Sequence, residues 1–441
     1  MPTHLVSAID VGDFGAETLR VGDLNGDGAP DLLLTQSVYG TRAITCLTAL
    51  TITGQVLWQR GTPSRDNGHI YGDLPVQIHD WDGDGRNEVL YVEPARYAEL
   101  FPGTGYAVER AKRYEGTATL VVLDATTGQE WRRLPLPAPA DDSLAFADLT
   151  GRGWRGDLVV KDRYWNIWGV AHEGQVLWHW QGSPGHYPAI GDVDGDGRDE
   201  VFVGFALLDH DGRVVFAHHD GGHHADAAAL VRLPGGEWRL LFGNHGLHCL
   251  APDGRELWAH PLAEAQHVVP GRYRTDSPVQ ALVIDRGQPG PDGKRLPATL
   301  YLYDLDGHEL WRRVQPAGAW CAACARLNWF GPGQPDAALV YERSPVTMVP
   351  RGSERLYAYL PGPPEAIYDG AGNEVETLRM QYAPSTPPAE RNALYYGIAA
   401  DVWGDGRDEV IFSGSRGVCL LANARPLAVP TLYNETLYTG D

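Results

Sequence analysis

The chain has 441 residues and a formal net charge of −21, from 57 acidic and 36 basic side chains. That balance argues against nucleic acid or an anionic membrane as a partner, and an acidic ligand needs local basic groups to be held. With 53 Gly, 32 Pro, 14 Trp and 20 Tyr, the composition predicts short strands and tight turns, an all-β fold. No apolar run reaches the roughly 18 residues of a spanning helix. Five cysteines, an odd number, do not make a complete disulfide framework. Met1-Pro2-Thr3-His4-Leu5-Val6 carries no basic region followed by an apolar one, which predicts a cytoplasmic protein, or a secreted one whose leader has been removed.

Taken in chain order, one phrase recurs: an apolar strand, an acidic glycine-rich turn and a second apolar strand. It first runs from Leu19 through Asp23, Asn25, Asp27 and Gly28 to Asp31-Leu32-Leu33-Leu34. It returns from Val76 to Glu88-Val89-Leu90-Tyr91, and from Ala189 to Glu200-Val201-Phe202. Weaker copies start near Leu144, Ala227, His267, Cys324 and Gly397, which makes eight. A Gly-x-x-Leu/Val-Trp/Phe phrase follows most of them, at Gly54, Gly174, Gly212, Gly254 and Gly307. Each unit therefore reads as four strands, A to D, the pattern of a propeller blade. The expected fold is an eight-bladed β-propeller in a single domain, 1–441, with blades starting near 19, 74, 142, 186, 225, 266, 322 and 395. The last unit has only three strands of its own, and residues 4–12 are expected to complete it and close the ring.

Three turns place oxygen ligands at i, i+2, i+4 and i+8. They are Asp23, Asn25, Asp27 and Asp31; Asp80, Asp82, Asp84 and Glu88; and Asp192, Asp194, Asp196 and Glu200. Alternate oxygens on a tight loop converge on a hard cation, so these turns are predicted to bind Ca²⁺. The turns at Asp148 and Asp401 lack the pattern and are expected to be metal-free. Cys321-Ala322-Ala323-Cys324 is a possible Zn²⁺ ligand pair, together with His267 or Cys249.

In a propeller the A–B turns lie on one face, while the segments before strand A and after strand B lie on the other. Sorting residues this way gathers Asp142, His186, His223, His224, Asp226, His267 and Tyr396 ahead of the A strands. Lys161, Arg163, Tyr164, His245, Arg286, Arg343 and Arg416 follow the B strands. A long insertion, residues 94–116, adds Arg96 to the same face. Arginine and lysine neutralise a uronate carboxylate and so acidify the adjacent C–H, and a histidine or tyrosine takes that proton and returns one to the leaving oxygen. The expected chemistry is β-elimination from an acidic, uronate-containing poly- or oligosaccharide.

Several of these stretches resemble a known family. Lys161-Asp162-Arg163-Tyr164-Trp165-Asn166-Ile167-Trp168, the run from Gly185-His186-Tyr187 to Glu200, Leu208-Asp209-His210-Asp211-Gly212, Gly222-His223-His224-Ala225-Asp226-Ala227 and the segment from Asp401 to Val410 are similar to rhamnogalacturonan lyases of polysaccharide lyase family 11. Related propeller lyases act on ulvan or rhamnose–glucuronate linkages. The resemblance implies an eight-bladed propeller that cleaves a rhamnose–uronate linkage with calcium at the site. It places His224, Asp226 and His245 near that cation or the substrate carboxylate, with Lys161, Arg163 and Tyr164 facing the same pocket. The chain departs from the family at Ala229, where a further histidine is expected. The aspartate turns also resemble the FG-GAP-like calcium loops of integrin-type propellers, so a non-catalytic, calcium-dependent carbohydrate- or protein-binding propeller is the alternative.

Overall fold

The computed structural model describes residues 3–16, 18–38, 43–65, 67, 73–94, 118–291, 294, 296–342, 365–391 and 395–426. Arg96, Arg343 and the insertion from residue 95 onward lie outside the described residues. Eight four-stranded antiparallel sheets follow one another along the chain, forming an eight-bladed β-propeller. The first strands of the blades begin at Thr18, Val76, Leu144, Ala189, Ala227, Ala265, Ala322 and Tyr395. The N-terminal strand Thr3–Ile9 is the outer strand of the last blade and pairs with Gly417–Asn423. Beginning and end of the described chain thus share one sheet, which ties the last blade to the strand that leads into the first. Among the described residues no helix is long and apolar enough to cross a membrane.

Alternation along each strand sends one set of side chains toward each neighbouring blade, so the cores lie between blades. Leu33, Leu47 and Trp58 of blade 1 pack with Val76, Val89 and Val121 of blade 2. Ile9 and Val418 of blade 8 pack with Leu19 and Leu32 of blade 1.

The second repeat is explained by a contact across this junction. The strand D tryptophan of one blade donates its indole N–H to the C–D turn of the next. Trp58 Nε1 donates to Ala125 O at 2.6 Å, Trp178 Nε1 to His210 O at 2.8 Å and Trp258 Nε1 to Leu305 O at 2.9 Å. The glycine of the receiving turn lies against that ring. At Gly212 (φ +81°) a Cβ would stand 2.6 Å from Trp178 Cγ, and at Gly307 (φ +92°) 2.8 Å from Trp258 Cγ. Gly212→Ala therefore imposes both left-handed backbone strain and a collision with an indole. It is expected to lower stability by about 1–3 kcal/mol, read as a lower denaturant midpoint. An unchanged midpoint would contradict this account of the junction.

A polar clasp repeats at the A–B turns. Asp199 accepts the Asp148 N–H at 2.8 Å and donates its own N–H to Asp148 O at 2.9 Å. Asp336 with Arg272 and Asp408 with Asn328 form the same reciprocal pair across their blade junctions.

The aspartate turns are closed by their own hydrogen bonds. Asp80 accepts from Gly83 N at 2.9 Å and Gly85 N at 3.0 Å, and Asp192 from Gly195 N at 2.7 Å and Gly197 N at 3.1 Å. Two of the three turns gather three carboxylates whose ligand atoms lie within 4.8 Å of one another: Asp80, Asp82 and Glu88, and Asp192, Asp194 and Glu200. Asp84 and Asp196 each cap the next turn residue but one, through Arg86 N and Arg198 N, both at 2.8 Å. In the first turn Asp23 accepts from Gly26 N and Gly28 N, Asn25 from Asp27 N, and Asp31 from Leu24 N. Burial at the start of strand B pushes the Glu88 and Glu200 carboxyls up to about 7. One oxygen of Glu200 is buried without a hydrogen-bond partner.

Candidate active site

Strand A of each blade runs along the central channel and ends at its A–B turn, so the opposite end of the channel is lined by strand A starts and strand B ends. A cavity of about 640 Å³ opens there. Arg163, Tyr164, His186, His224, Asp226, His267, Arg286 and Tyr396 all line it.

Its centre is built on one turn. Asp162 accepts the Trp165 and Asn166 N–H groups at 3.2 and 2.7 Å, an Asx-type closure that competes with strand pairing. The chain passes through Arg163 with φ +79°, and Asp142 opposite has φ +78°. Non-glycine residues in this region cost about 1–3 kcal/mol each and persist where surrounding contacts over-determine them.

Those contacts converge on Asp142. Its carboxylate meets His186 Nδ1 at 2.6 Å, an Arg163 nitrogen at 3.2 Å and Lys161 Nζ at 3.5 Å. Arg163 also bonds Asp141 at 2.9 Å and reaches Asp73 at 3.5 Å. Burial by itself would raise the Asp142 carboxyl, but His186, Arg163 and Lys161 outweigh it and hold it well below the usual range. Burial lowers the Lys161 ammonium, against the pull of Asp142 and Asp141. Burial raises the Tyr164 hydroxyl, and Asp142 adds to the effect. Tyr164 is therefore a protonated group at neutral pH, suited to donate rather than to accept.

Asp142 accepts the Nδ1–H of His186, which leaves Nε2 as the acceptor nitrogen, 3.3 Å from the Tyr164 hydroxyl and 3.5 Å from Asp226 Oδ1. His224 Nε2 lies 3.4 Å from the same Asp226 oxygen, and its ring stacks on Tyr164 at 4.2 Å between centroids. His186, His224 and Asp226 offer ligand atoms within 4.8 Å of one another. Two imidazoles and a carboxylate, one imidazole held by an outer carboxylate, form a donor set that fits a divalent cation.

The structure separates the other candidates from this group. Lys161 is beneath the cavity, fully buried, with Nζ 2.7 Å from Arg163 O. His223 and His245 are exposed and face each other with ring centroids 4.6 Å apart, outside the lining. Arg416 belongs to a second cavity, where it pairs with Glu390 at 3.3 Å. Cys321 and Cys324 are buried, and among the described residues no cysteine is in a disulfide or joins a metal-competent group. His267 meets the Cys324 main chain, Nδ1 to O at 3.1 Å, not its sulfur. Positions three apart near a strand point to opposite faces, so this pair has the wrong geometry for chelation.

Arg20, Asp73, Tyr187, Glu264 and Gln266 line the cavity as well. Arg20 had a readable signal. It stands three residues before the loop Asp23, as Ile398 does before Asp401, and both line the cavity. With the histidines neutral, three lining guanidiniums (Arg20, Arg163, Arg286) face four lining carboxylates (Asp73, Asp142, Asp226, Glu264). The cavity is thus not the cationic cleft that the arginine pattern suggests.

Comparison with known proteins bears on this site. No family model matches the chain. The rhamnogalacturonan endolyase YesW of Bacillus subtilis (strain 168) is 24% identical over 265 residues, 48% of this chain and 42% of that protein. The chain is a propeller similar to rhamnogalacturonan lyases. The exolyase YesX of the same organism is 23% identical over the same shares, so the match spans less than half the length of either curated relative. The solved structure of the exotype lyase YesX superposes with a TM-score of 0.61 at 17% identity, over 97% of this chain and 76% of that one. The V. cholerae biofilm matrix protein Bap1 superposes equally well, at a TM-score of 0.61 and 13% identity, over 97% of this chain and 92% of that one. The rhamnogalacturonan lyase-like fold is therefore shared with a protein named for a matrix role, and it is the site that carries the functional argument.

Proposed function

We propose that this protein is a polysaccharide or oligosaccharide lyase that cleaves a rhamnose–uronate linkage by β-elimination. The observation that carries the reading is the convergence of His186, His224, Asp226, Tyr164 and Arg163 on one cavity at the channel mouth. The likeness to YesW and YesX supports the substrate class. His186, His224 and Asp226 would hold a divalent cation. That cation would supply the positive charge that the lining lacks, neutralising the uronate carboxylate. Arg163, fixed by Asp141 and Asp142, positions the turn that carries Tyr164. Tyr164, kept protonated by burial, is placed to return a proton to the leaving oxygen. The proton next to the carboxylate goes to an imidazole outside the cation's donor set, and His267 is the lining histidine that is not one of those donors.

Incubation with rhamnogalacturonan, ulvan and rhamnose–glucuronate oligosaccharides tests this. The ultraviolet absorbance of an unsaturated uronate is expected to rise on at least one of them, to stop with EDTA and to return with added divalent cation. No rise on any of these substrates with folded, metal-supplied protein would sink the proposal.

We further propose that the turns at Asp80 and Asp192 take Ca²⁺ as structural clamps. Glu88 and Glu200 are raised from 4.5 to about 7 by burial. A carboxyl raised in the fold favours the folded state at low pH, and that contribution disappears as pH rises from about 4.5 through about 7. In EDTA the melting temperature is therefore expected to fall across that window, and Ca²⁺ is expected to restore it above pH 7. A melting temperature indifferent to both would contradict the clamps.

A further inference from the structure

The aspartate turns of blades 2 and 4 differ in one donor. In blade 2 the carbonyl that receives the Trp58 indole belongs to Ala125, whereas in blade 4 the carbonyl that receives the Trp178 indole belongs to His210. The junction that fixes the C–D turn of blade 4 thus also sets an imidazole beside that blade's A–B turn. Asp196, Glu200 and His210 offer ligand atoms within 4.8 Å of one another. Two of these side chains carry a buried atom without a hydrogen bond. Glu200 is 2% exposed; its Oε2 accepts Val193 N at 2.6 Å and Asp194 N at 3.2 Å, while Oε1 has no partner. His210 Nδ1 is buried as well, 2.8 Å from Asp209 Oδ1 and 3.6 Å from Asp196 Oδ2, yet hydrogen-bonded to neither. Asp209 already receives the His210 main-chain N–H and the Arg213 side chain. A buried carboxylate oxygen and a buried imidazole nitrogen cost free energy when nothing meets them, and one cation meets both. Glu88, at the corresponding place in blade 2, has no such orphaned oxygen, and among the described residues no histidine joins its group.

We propose that Asp196, Glu200 and His210 form a site for a divalent transition-metal ion such as Zn²⁺, on the face away from the active-site cavity. All-oxygen turns suit Ca²⁺, whereas an imidazole beside two carboxylates shifts the preference to the transition series. In the metal-free protein Arg198 donates to His210 Nε2 at 2.8 Å, so the ring proton is on Nδ1. Binding at Nδ1 moves that proton to Nε2 and turns the exposed Arg198 side chain into solvent. The Ca²⁺ clamp proposed for this turn uses Asp192, Asp194 and Glu200 and needs no imidazole. Failure of the clamp therefore leaves this site standing, and neither depends on the lyase reaction.

Equilibrium dialysis of the full chain against Zn²⁺ in excess Ca²⁺, after bound metal has been stripped, counts the site, and anomalous diffraction at the zinc edge locates it. The wild type is expected to retain one Zn²⁺ more than His210→Gln, with a peak about 2.1 Å from His210 Nδ1 and none at the Asp80 turn. His210→Gln is expected to weaken that ion at least about tenfold while leaving Ca²⁺ uptake unchanged. The His186–His224–Asp226 group does not disturb the comparison, because both proteins contain it. Equal Zn²⁺ retention in the two proteins overturns the proposal, and so does a variant that loses Zn²⁺ and Ca²⁺ alike. A peak of equal height on the Asp80 turn, or peaks on surface histidines alone, overturns it too. Should His210→Gln melt early, Asp196→Asn serves instead, since an asparagine oxygen can still cap Arg198 N as Asp196 does. It must show the same loss of Zn²⁺, and undiminished retention overturns the site.

Discussion

His224→Ala is expected to reduce turnover by about 10²–10⁴-fold with little change in melting temperature. The His224 side chain is about a quarter exposed, stacks on Tyr164 and shares an Asp226 oxygen with His186. Its loss removes one of three cavity imidazoles and one of three cation donors while leaving the blade cores untouched. The informative control is His245→Ala. Family resemblance puts His245 near the cation, whereas the structure leaves it exposed against His223 and bonded to Ala263 O at 3.0 Å. His245→Ala is expected to keep most of the activity. Equal losses in the two variants, measured as kcat/KM on an active oligosaccharide, would contradict the assignment of the centre to the cavity.

Asp142→Asn should be the most destabilising single change at the site. It leaves Lys161 and Arg163 buried with one carboxylate fewer, and removal of one partner from a buried ion cluster costs about 3–5 kcal/mol. The sign with pH follows from the carboxyl's position. Its folded value lies well below the ordinary 3.8, so its contribution is fully present above that pH and is lost as pH falls through the folded value. Denaturant titrations at pH 7 and at about pH 3 should therefore show a large difference between wild type and variant in the first and a smaller one in the second. An equal difference at both would mean that the carboxylate's charge is not what holds the turn.

The eight blades were legible because their signals are local. An aspartate turn caps itself within five residues, and the Gly-x-x-Leu-Trp phrase records a junction contact, a glycine under a large side chain of the neighbouring blade: an indole at Gly128, Gly212, Gly307 and Gly372, Phe216 at Gly254 and Leu134 at Gly174. The short final unit and the apolar start together disclosed the closing strand. Site residues were legible only as far as face assignment goes. Tyr164, His186, His224 and Asp226 were found by their position before strand A or after strand B. Lys161 stands out as one of few lysines, yet its ammonium is buried against the carbonyl of Arg163, whose backbone is left-handed, and no sequence pattern announces such a φ. Arg20 was passed over because a strand interior reads as packing, although its register with Ile398 was visible. The cysteine pair was misleading for the opposite reason: a spacing that chelates on a turn fails at the start of a strand. Charge misled as well, since a count of arginines does not show that Asp73, Asp142, Asp226 and Glu264 line the same wall.

The central claim is elimination at a uronate, and the mass balance of the products tests it most directly. Rhamnogalacturonan oligosaccharide treated with the metal-supplied protein should yield two fragments whose masses sum to that of the substrate, one of them carrying an unsaturated uronate. Fragments that together exceed the substrate by one water would show hydrolysis and contradict the account.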